Sequence, residues 1–474
     1  MLFWKLHKAP LLLTFVSLFL YFLFAYDLER IQYEKLLLLY SALFGLFVVL
    51  LRYTKTNFRL LVSIAILTRL VFLIAIPNLS QDFYRFIWDG RMLLEGFNPY
   101  LYTPESFITK NEFPISQAKE LYNAMGQLNG SHFTNYPPIK QLCFAIAALI
   151  SGKSILGSAI VLRVIIIVAD IGTLYFGKKL LEKLNLPIKN IFWYILNPFI
   201  IIELTGNLHF EGVMLFFLVW SMYLLYSKKW KWAAAVFACS ISVKLIPLMF
   251  LPLFYKWFMK RPLDCARGDN QIIKIKELSG RAESRPNNFT KLFWFYSIVG
   301  ITTLSFFLPF FNSEFINNYT KTVGLWFNNF EFNASIYYIA RAIGYAITGY
   351  NEIAIIGKIL PVLVVTYILV LTFKKNKGEA NTLVTYMLLS ITIYLFFSTT
   401  VHPWYIATPL LLSIFTNYKF PVVWSFIIIL SYLAYININT MDKSENLWII
   451  SVEYIVIFTA FFWEVILRKK LPLE

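Results

Sequence analysis

The sequence is dominated by apolar runs long enough to cross a lipid bilayer. A helix needs ~20 residues to cross a hydrocarbon core of about 30 Å. Runs of this kind fall at 10–26, 36–51, 60–77, 155–176, 190–207, 209–226, 292–311, 352–373, 381–398, 420–437 and 447–467. In the membrane the backbone must satisfy its own hydrogen bonds, and a helix does so within one segment. The fold class predicted is an all-α polytopic membrane protein.

Other apolar runs are too short to cross the bilayer upright. They lie at 139–151, 232–243, 245–258 and 403–416. Such segments are tolerated at membrane depth where protein or a water-filled cavity shields their backbone. We therefore expect half-helices or re-entrant pairs here, and about 12–14 transmembrane helices in all.

Charge is scarce and one-sided along the chain. Only 15% of the residues are charged, against about 25% in soluble domains, and the net charge is +17. The basic residues lie between apolar runs, which argues against a nucleic-acid partner. With the N-terminus inside, most Lys and Arg fall in inside segments, as the positive-inside rule requires. The first 26 residues are interpreted as a retained anchor, and both termini as cytoplasmic.

Two long polar segments interrupt the apolar pattern. The segment 78–138 falls outside, and the basic segment 259–290 falls inside, where it would face anionic lipid. We expect three regions: an N-terminal transmembrane hairpin (1–59), a catalytic transmembrane region (60–437), and a C-terminal helix with a basic tail (438–474).

The outer loop opens with residues that form one polar helical face. Asp82, Arg85 and Asp89 stand at i, i+3 and i+7, so a helix aligns them. Two interpretations fit this face. It is either part of a catalytic site or a juxtamembrane helix with internal ion pairs.

Further polar motifs fall on the same side of the membrane. They are Asn135–Ile139 (NYPPI), Gly206–Gly212 (GNLHFEG), Lys244, Phe332–Ser335 (FNAS) and Val401–Tyr405 (VHPWY). Ionisable groups at membrane depth are costly and point to function. Their common side predicts one shared cavity at the outer face.

This set of groups suits glycosyl transfer from an amphiphilic donor. A carboxylate can take the proton of an acceptor hydroxyl, cations can stabilise the departing phosphate, and Tyr or Trp can stack on sugars. The sequence has no Gly-rich phosphate loop and no Cys/His metal spacing, so we expect a lipid-linked donor, no metal and no cofactor.

The first-loop motif resembles that of a known superfamily. Asp82–Arg91 (DFYRFIWDGR), followed by Gly96–Tyr100 (GFNPY), is similar to the first outer loop of GT-C mannosyltransferases that use polyprenyl-phosphate mannose. The later motifs follow in the superfamily's order. The resemblance implies a GT-C-type bundle and an inverting transferase with Asp82 as the base. Relatives often carry an acidic pair here, whereas Gln81 precedes Asp82.

The remaining roles are assigned by chemical type. Asp89 is the second choice for the base, or it caps and shapes the loop with Gly90. Donor phosphate is assigned to Arg85, Arg91 and Lys244, although Lys244 also fits snorkelling to the headgroups. The other substrate-binding candidates are Trp88, Tyr136, His209, Glu211, Asn333, His402 and Trp404. Glu211 equally fits a buried loop anchor, and His402 equally fits packing against Trp404.

Two alternatives of other kinds remain open. One is a transporter or flippase of lipid-linked sugars, which would place its charges near mid-bilayer. The other is a polymerase or ligase of lipid-linked glycans. For the transferase, the expected partners are a polyprenyl-phosphate sugar, a lipid-linked or glycan acceptor and membrane lipids. The expected location is the bacterial inner membrane, with the site on the periplasmic face.

Overall fold

A computed structural model describes residues 2–53, 57–259, 288–328, 330–374, 381–437 and 445–467. The basic segment 259–290 and the basic C-terminal tail lie almost wholly outside the described residues. Within them the structure is helical, and the only extended pairing is a single parallel bridge between Phe332 and Thr400.

The helices are numbered in chain order. They are α1 (Leu2–Tyr26), α2 (Tyr33–Tyr53), α3 (Phe58–Leu70), α4 (Asp82–Leu94), α5 (Pro104–Ile108), α6 (Ala118–Gly130), α7 (Pro138–Ser151), α8 (Ile155–Lys183), α9 (Phe192–Ile195), α10 (Pro198–Ile200), α11 (Glu211–Tyr226), α12 (Trp230–Val243), α13 (Leu251–Met259), α14 (Asn288–Phe307), α15 (Ser313–Asn328), α16 (Ile336–Thr348), α17 (Ile353–Phe373), α18 (Thr382–Phe397), α19 (Ala407–Ser413), α20 (Phe420–Ile427) and α21 (Leu447–Phe462).

Six of the described helical segments are long and apolar enough to cross a membrane. They are Lys8–Tyr26, Tyr33–Tyr53, Ile155–Lys183, Asn288–Phe310, Ile353–Phe373 and Leu447–Leu467. A seventh follows if Pro198–Gly206 and Glu211–Tyr226, which meet at 114°, form one broken span. These elements confirm the prediction of an all-α polytopic membrane protein.

Several elements are shorter or more broken than the apolar runs suggested. The run 60–77 is helical only to Leu70, because the chain then turns toward the outer loop. The run 420–437 is an eight-residue α-helix continued by a 3₁₀ segment, Ile428–Asn437. Of the four runs expected to be too short for upright spans, 139–151 forms α7, 232–243 forms α12, and 245–258 forms a 3₁₀ segment followed by α13. The fourth, 403–416, forms the 3₁₀ segment Pro403–Ile406 followed by α19.

Close packing places the outer loop over the membrane helices. Helix α4 lies directly on α7 at Gly90, where an added Cβ would collide with the carbonyl oxygen of Phe144. The side chain of Phe86 stacks on the ring of Phe144, with centroids 4.6 Å apart. The start of α4 and the start of α7 therefore lie beside each other, at the mouth of the helical bundle.

A broken helix supplies the third part of this region. Residues Ile201–Gly206 form a π-helical turn, and Leu208 adopts a positive φ of 63° although it is buried. Arg163 on α8 donates to the carbonyl oxygens of Thr205 and Gly206, which satisfies backbone groups at the break. The break turns the chain so that His209 and Glu211 face the space beneath α4.

Candidate active site

The starts of α4, α7 and α11 surround a cavity of about 510 Å³. The loops before 3₁₀ segments Ile246–Phe250 and Pro403–Ile406 close its far side. Its polar lining consists of Arg30, Ser80, Gln81, Asp82, Asn129, Asn135, Lys140, His209, Glu211, Lys244, His402 and the hydroxyl-bearing Tyr136, Tyr394 and Tyr405. Apolar side chains, among them Ile246 and Val323, complete the wall. The cavity can therefore take a ligand with both charged and apolar parts.

Asp82 presents a carboxylate to this cavity from the first turn of α4. Asn129 on α6 donates to its Oδ1 at 3.1 Å. Burial raises the pKa of the Asp82 carboxyl, and Lys140 together with the Asn129 hydrogen bond opposes the rise. A carboxylate with a raised pKa is a stronger proton acceptor, which suits a general base.

Glu211 and Lys244 form an ion pair in the cavity wall. Glu211 is the first residue of α11 and is buried, whereas the Lys244 side chain is 25% exposed. The Lys244 ammonium also lies 4.0 Å from the centroid of the Tyr405 ring. Each charge is thus compensated, and the pair connects the broken helix to the end of α12.

Two histidines and a tryptophan form an aromatic stack in the wall. The Trp404 ring lies 3.7 Å from the His209 ring and 4.5 Å from the His402 ring, with interplanar angles of 18° and 6°. Behind His209, its Nε2 lies 3.6 Å from Oε2 of buried Glu203. The stack therefore holds three predicted site residues in one rigid group.

His402 is neutral in this environment. Burial, with repulsion from Lys244 second, lowers the pKa of His402 to about 3. At neutral pH its ring therefore carries no positive charge with which to bind phosphate. It packs against Trp404 and against Phe332, whose ring centroid lies 5.1 Å away.

Four other predicted residues of the first loop lie outside the cavity lining. Arg85 donates from Nε to Asp89 Oδ1 at 2.8 Å, and Gln141 donates to Asp89 Oδ2 at 3.0 Å. Arg91 donates to the carbonyl oxygens of Ser116 and Lys153. Trp88 is 1% exposed. These contacts hold α4 in place, and Asp89 lies inside the helix instead of capping it.

Asn333 also lies behind the cavity wall. Its side chain donates to Glu453 on α21 at 3.1 Å, and its backbone N–H donates to the Glu445 carboxylate. Asn333 follows Phe332, which bridges to Thr400 next to His402. It therefore anchors the loop that supports the stack.

Lys140, Arg30 and Asn129 line the cavity but are absent from the residues chosen by sequence reasoning. Lys140 follows the Tyr-Pro-Pro motif by two residues, and a Lys in the first turn of an apolar half-helix is a usable signal. Arg30 and Asn129 belong to loop and helix stretches without a distinctive pattern. Within the described residues, no three His, Cys, Asp or Glu side chains are grouped as metal ligands.

One comparison with known proteins bears on this site. Residues 28–260 match the family model described as alpha-(1->6)-mannopyranosyltransferase, N-terminal domain (MptA_B family). No curated protein matches the sequence. The matched segment contains the cavity residues Asp82, Lys140, Glu211 and Lys244. The match confirms the predicted resemblance to a membrane mannosyltransferase and the prediction that the chain is a glycosyltransferase.

Proposed function

We propose that this integral membrane glycosyltransferase moves mannose from a polyprenyl-phosphate donor to a lipid-linked or glycan acceptor. The site would face the non-cytoplasmic side, and the fold would be of the GT-C type. The location proposed is a bacterial inner membrane. The positive-inside distribution of Lys and Arg supports this orientation.

One observation carries the proposal: the Asp82 carboxylate shares a single cavity with Lys140, Lys244 and an apolar wall. An acceptor hydroxyl oxygen would attack the anomeric carbon while its proton passes to Asp82. The bond from that carbon to the phosphate oxygen would break, and its electron pair would leave with the polyprenyl phosphate. The basic side chains would stabilise the negative charge that develops.

The stereochemistry follows from the family's α-linked product. Attack from the face opposite the leaving phosphate inverts the anomeric carbon, so an α-mannoside requires a β-linked donor. The cavity supports this single-displacement route because Asp82 is the first-loop carboxylate that lines it, whereas Asp89 is enclosed by Arg85 and Gln141.

The experiment is a transfer assay with purified full-length protein in detergent. Radiolabelled β-linked polyprenyl-phosphate mannose is offered with a panel of lipid-linked and free mannan acceptors. We expect labelled α-mannoside from this donor and none from the α-linked isomer or from nucleotide-linked mannose. Transfer from the nucleotide donor, or a product of retained configuration, would contradict the proposal.

A further inference from the structure

Lys140 is a buried lysine held by aromatic rings. It is 9% exposed, and its ammonium lies 4.0 Å from the ring centroid of Tyr136, 4.6 Å from that of Phe86, 5.5 Å from that of Phe210 and 5.8 Å from that of Phe144. Cation–π attraction holds an ammonium in position without neutralising its charge. Burial lowers the pKa of Lys140 to about 8, so the charged ammonium still predominates at neutral pH, at a fixed place in the cavity wall.

The other basic side chains around α4 differ from Lys140 in their partners. Arg85 is paired with Asp89, Lys244 is paired with Glu211, and Arg91 donates to backbone carbonyls. For Lys140, the part of the chain that the structure describes supplies neither a salt bridge nor a hydrogen-bond acceptor. Glu211 and Asp82 attract it through space only.

A buried charge without a contacting counter-charge destabilises the folded protein unless a ligand compensates it. An apolar side chain of similar length would suit the four rings better. The position of Lys140 is therefore explained by an anion that enters the cavity. The Glu211–Lys244 pair, in contrast, is already neutral as a unit.

We propose that Lys140 is the catalytic residue that binds the phosphate of the lipid donor. This proposal rests on the proposed function. It assigns the donor phosphate to Lys140 instead of Arg85 and Arg91, whose guanidinium groups are hydrogen-bonded to other protein groups. When the sugar leaves, the phosphate changes from a diester with one negative charge to a monoester with up to two. Lys140 would therefore bind the departing group more strongly than the donor, which is the condition for stabilising the transition state.

The experiment compares the wild type with Lys140→Met and with Lys110→Met in the full-length protein. Lys110 is an exposed lysine of the same outer loop, so its variant removes one positive charge away from the cavity. Calorimetric titration uses three probes: farnesyl phosphate, the methyl diester of farnesyl phosphate, and farnesol. Thermal unfolding of each variant is recorded in parallel.

For Lys140→Met we expect a loss of about tenfold or more in affinity for farnesyl phosphate. The loss for the diester should be smaller, farnesol binding should be unchanged, and the melting temperature should equal or exceed that of the wild type. Lys110→Met should match the wild type throughout. A purely structural Lys140 predicts the reverse, namely a lower melting temperature and an equal loss for all three probes.

Equal losses for the three probes, or unchanged binding of farnesyl phosphate, would overturn the inference. Lys140→Gln is measured as the second variant, so that the same binding results decide the matter if the methionine variant does not fold. The two proposals fail separately. Sugar transfer that survives in Lys140→Met refutes the role of Lys140 alone, whereas Lys140-dependent phosphate binding without any transfer refutes the proposed function alone.

Discussion

The first turn and the middle of helix α4 carry the same side chain in opposite environments. Asp82, in the first turn, lines the cavity and accepts one hydrogen bond from the side chain of Asn129. Asp89, two turns later, is fully buried and is held by Arg85 and Gln141. A carboxylate that is available to a ligand can exchange a proton with it. One that neutralises a buried guanidinium stabilises the fold instead.

The packing of α4 explains the difference. The helix lies against α7 at Gly90, so the neighbouring Asp89 is enclosed by protein. The first turn projects beyond this contact and reaches the cavity edge beside Tyr136 and Lys140. A helix of 13 residues can therefore provide a reactive group in its first turn and a rigid support further along.

The largest expected effect is on turnover in Asp82→Asn. The amide keeps the shape and can still accept from Asn129, but it cannot take a proton. Single-turnover transfer should fall by about 10²–10⁴-fold. Donor affinity should change little. The melting temperature should not fall, because burying a neutral amide avoids the cost of desolvating a charged carboxylate.

Asp89→Asn is the matched control for this measurement. Near-normal turnover in folded Asp82→Asn combined with a complete loss in folded Asp89→Asn would reassign the base to Asp89. If both variants keep their activity, neither carboxylate is the base and the transfer mechanism is wrong.

The next largest effect is on stability in Asp89→Asn. Removing one partner of a buried ion pair leaves Arg85 with an uncompensated charge and should destabilise the fold by about 3–5 kcal/mol. Thermal unfolding in detergent measures this loss. The double variant Arg85→Met with Asp89→Leu should recover part of it, because it removes both charges. A melting temperature of Asp89→Asn equal to that of the wild type would show that the pair is not needed for folding.

Much of the fold and part of the site could be predicted from the sequence. Apolar length alone indicates the long helices, because the bilayer fixes the number of residues a span needs. The common side of the polar motifs indicated one cavity, and Asp82, Tyr136, His209, Lys244 and His402 do line it. Each of these residues lies within two residues of a helix end, and these helix ends border the same cavity.

What the sequence could not give is the partner of each charged side chain. The Arg85–Asp89 pair is local, at i and i+4, and the sequence left it open as an internal ion pair. Arg91 has the chemistry of a phosphate ligand, yet it donates to carbonyl oxygens of Ser116 and Lys153, far along the chain. Lys140 was not among the predicted site residues, because the rings of Phe86 and Phe210 that surround it are distant in sequence. Such pairings depend on tertiary packing, which no local pattern records.

The smallest expected effect distinguishes Asp82 from Asp89 through the protonation of Asp82. Burial raises the pKa of this carboxyl, and the hydrogen bond from Asn129 lowers it by favouring the charged form. The base acts only when deprotonated, so kcat/KM should fall as the pH drops through this raised pKa, above the range of an exposed aspartate. Asn129→Leu removes the donor and should move this acid limb to higher pH, with less than about a tenfold loss of rate on the plateau.

Asn123→Leu, an exposed position on α6, should leave the limb in place. The pH dependence of kcat/KM for the three proteins decides the matter. A limb that stays fixed or moves to lower pH in Asn129→Leu would mean that the titrating base is not Asp82.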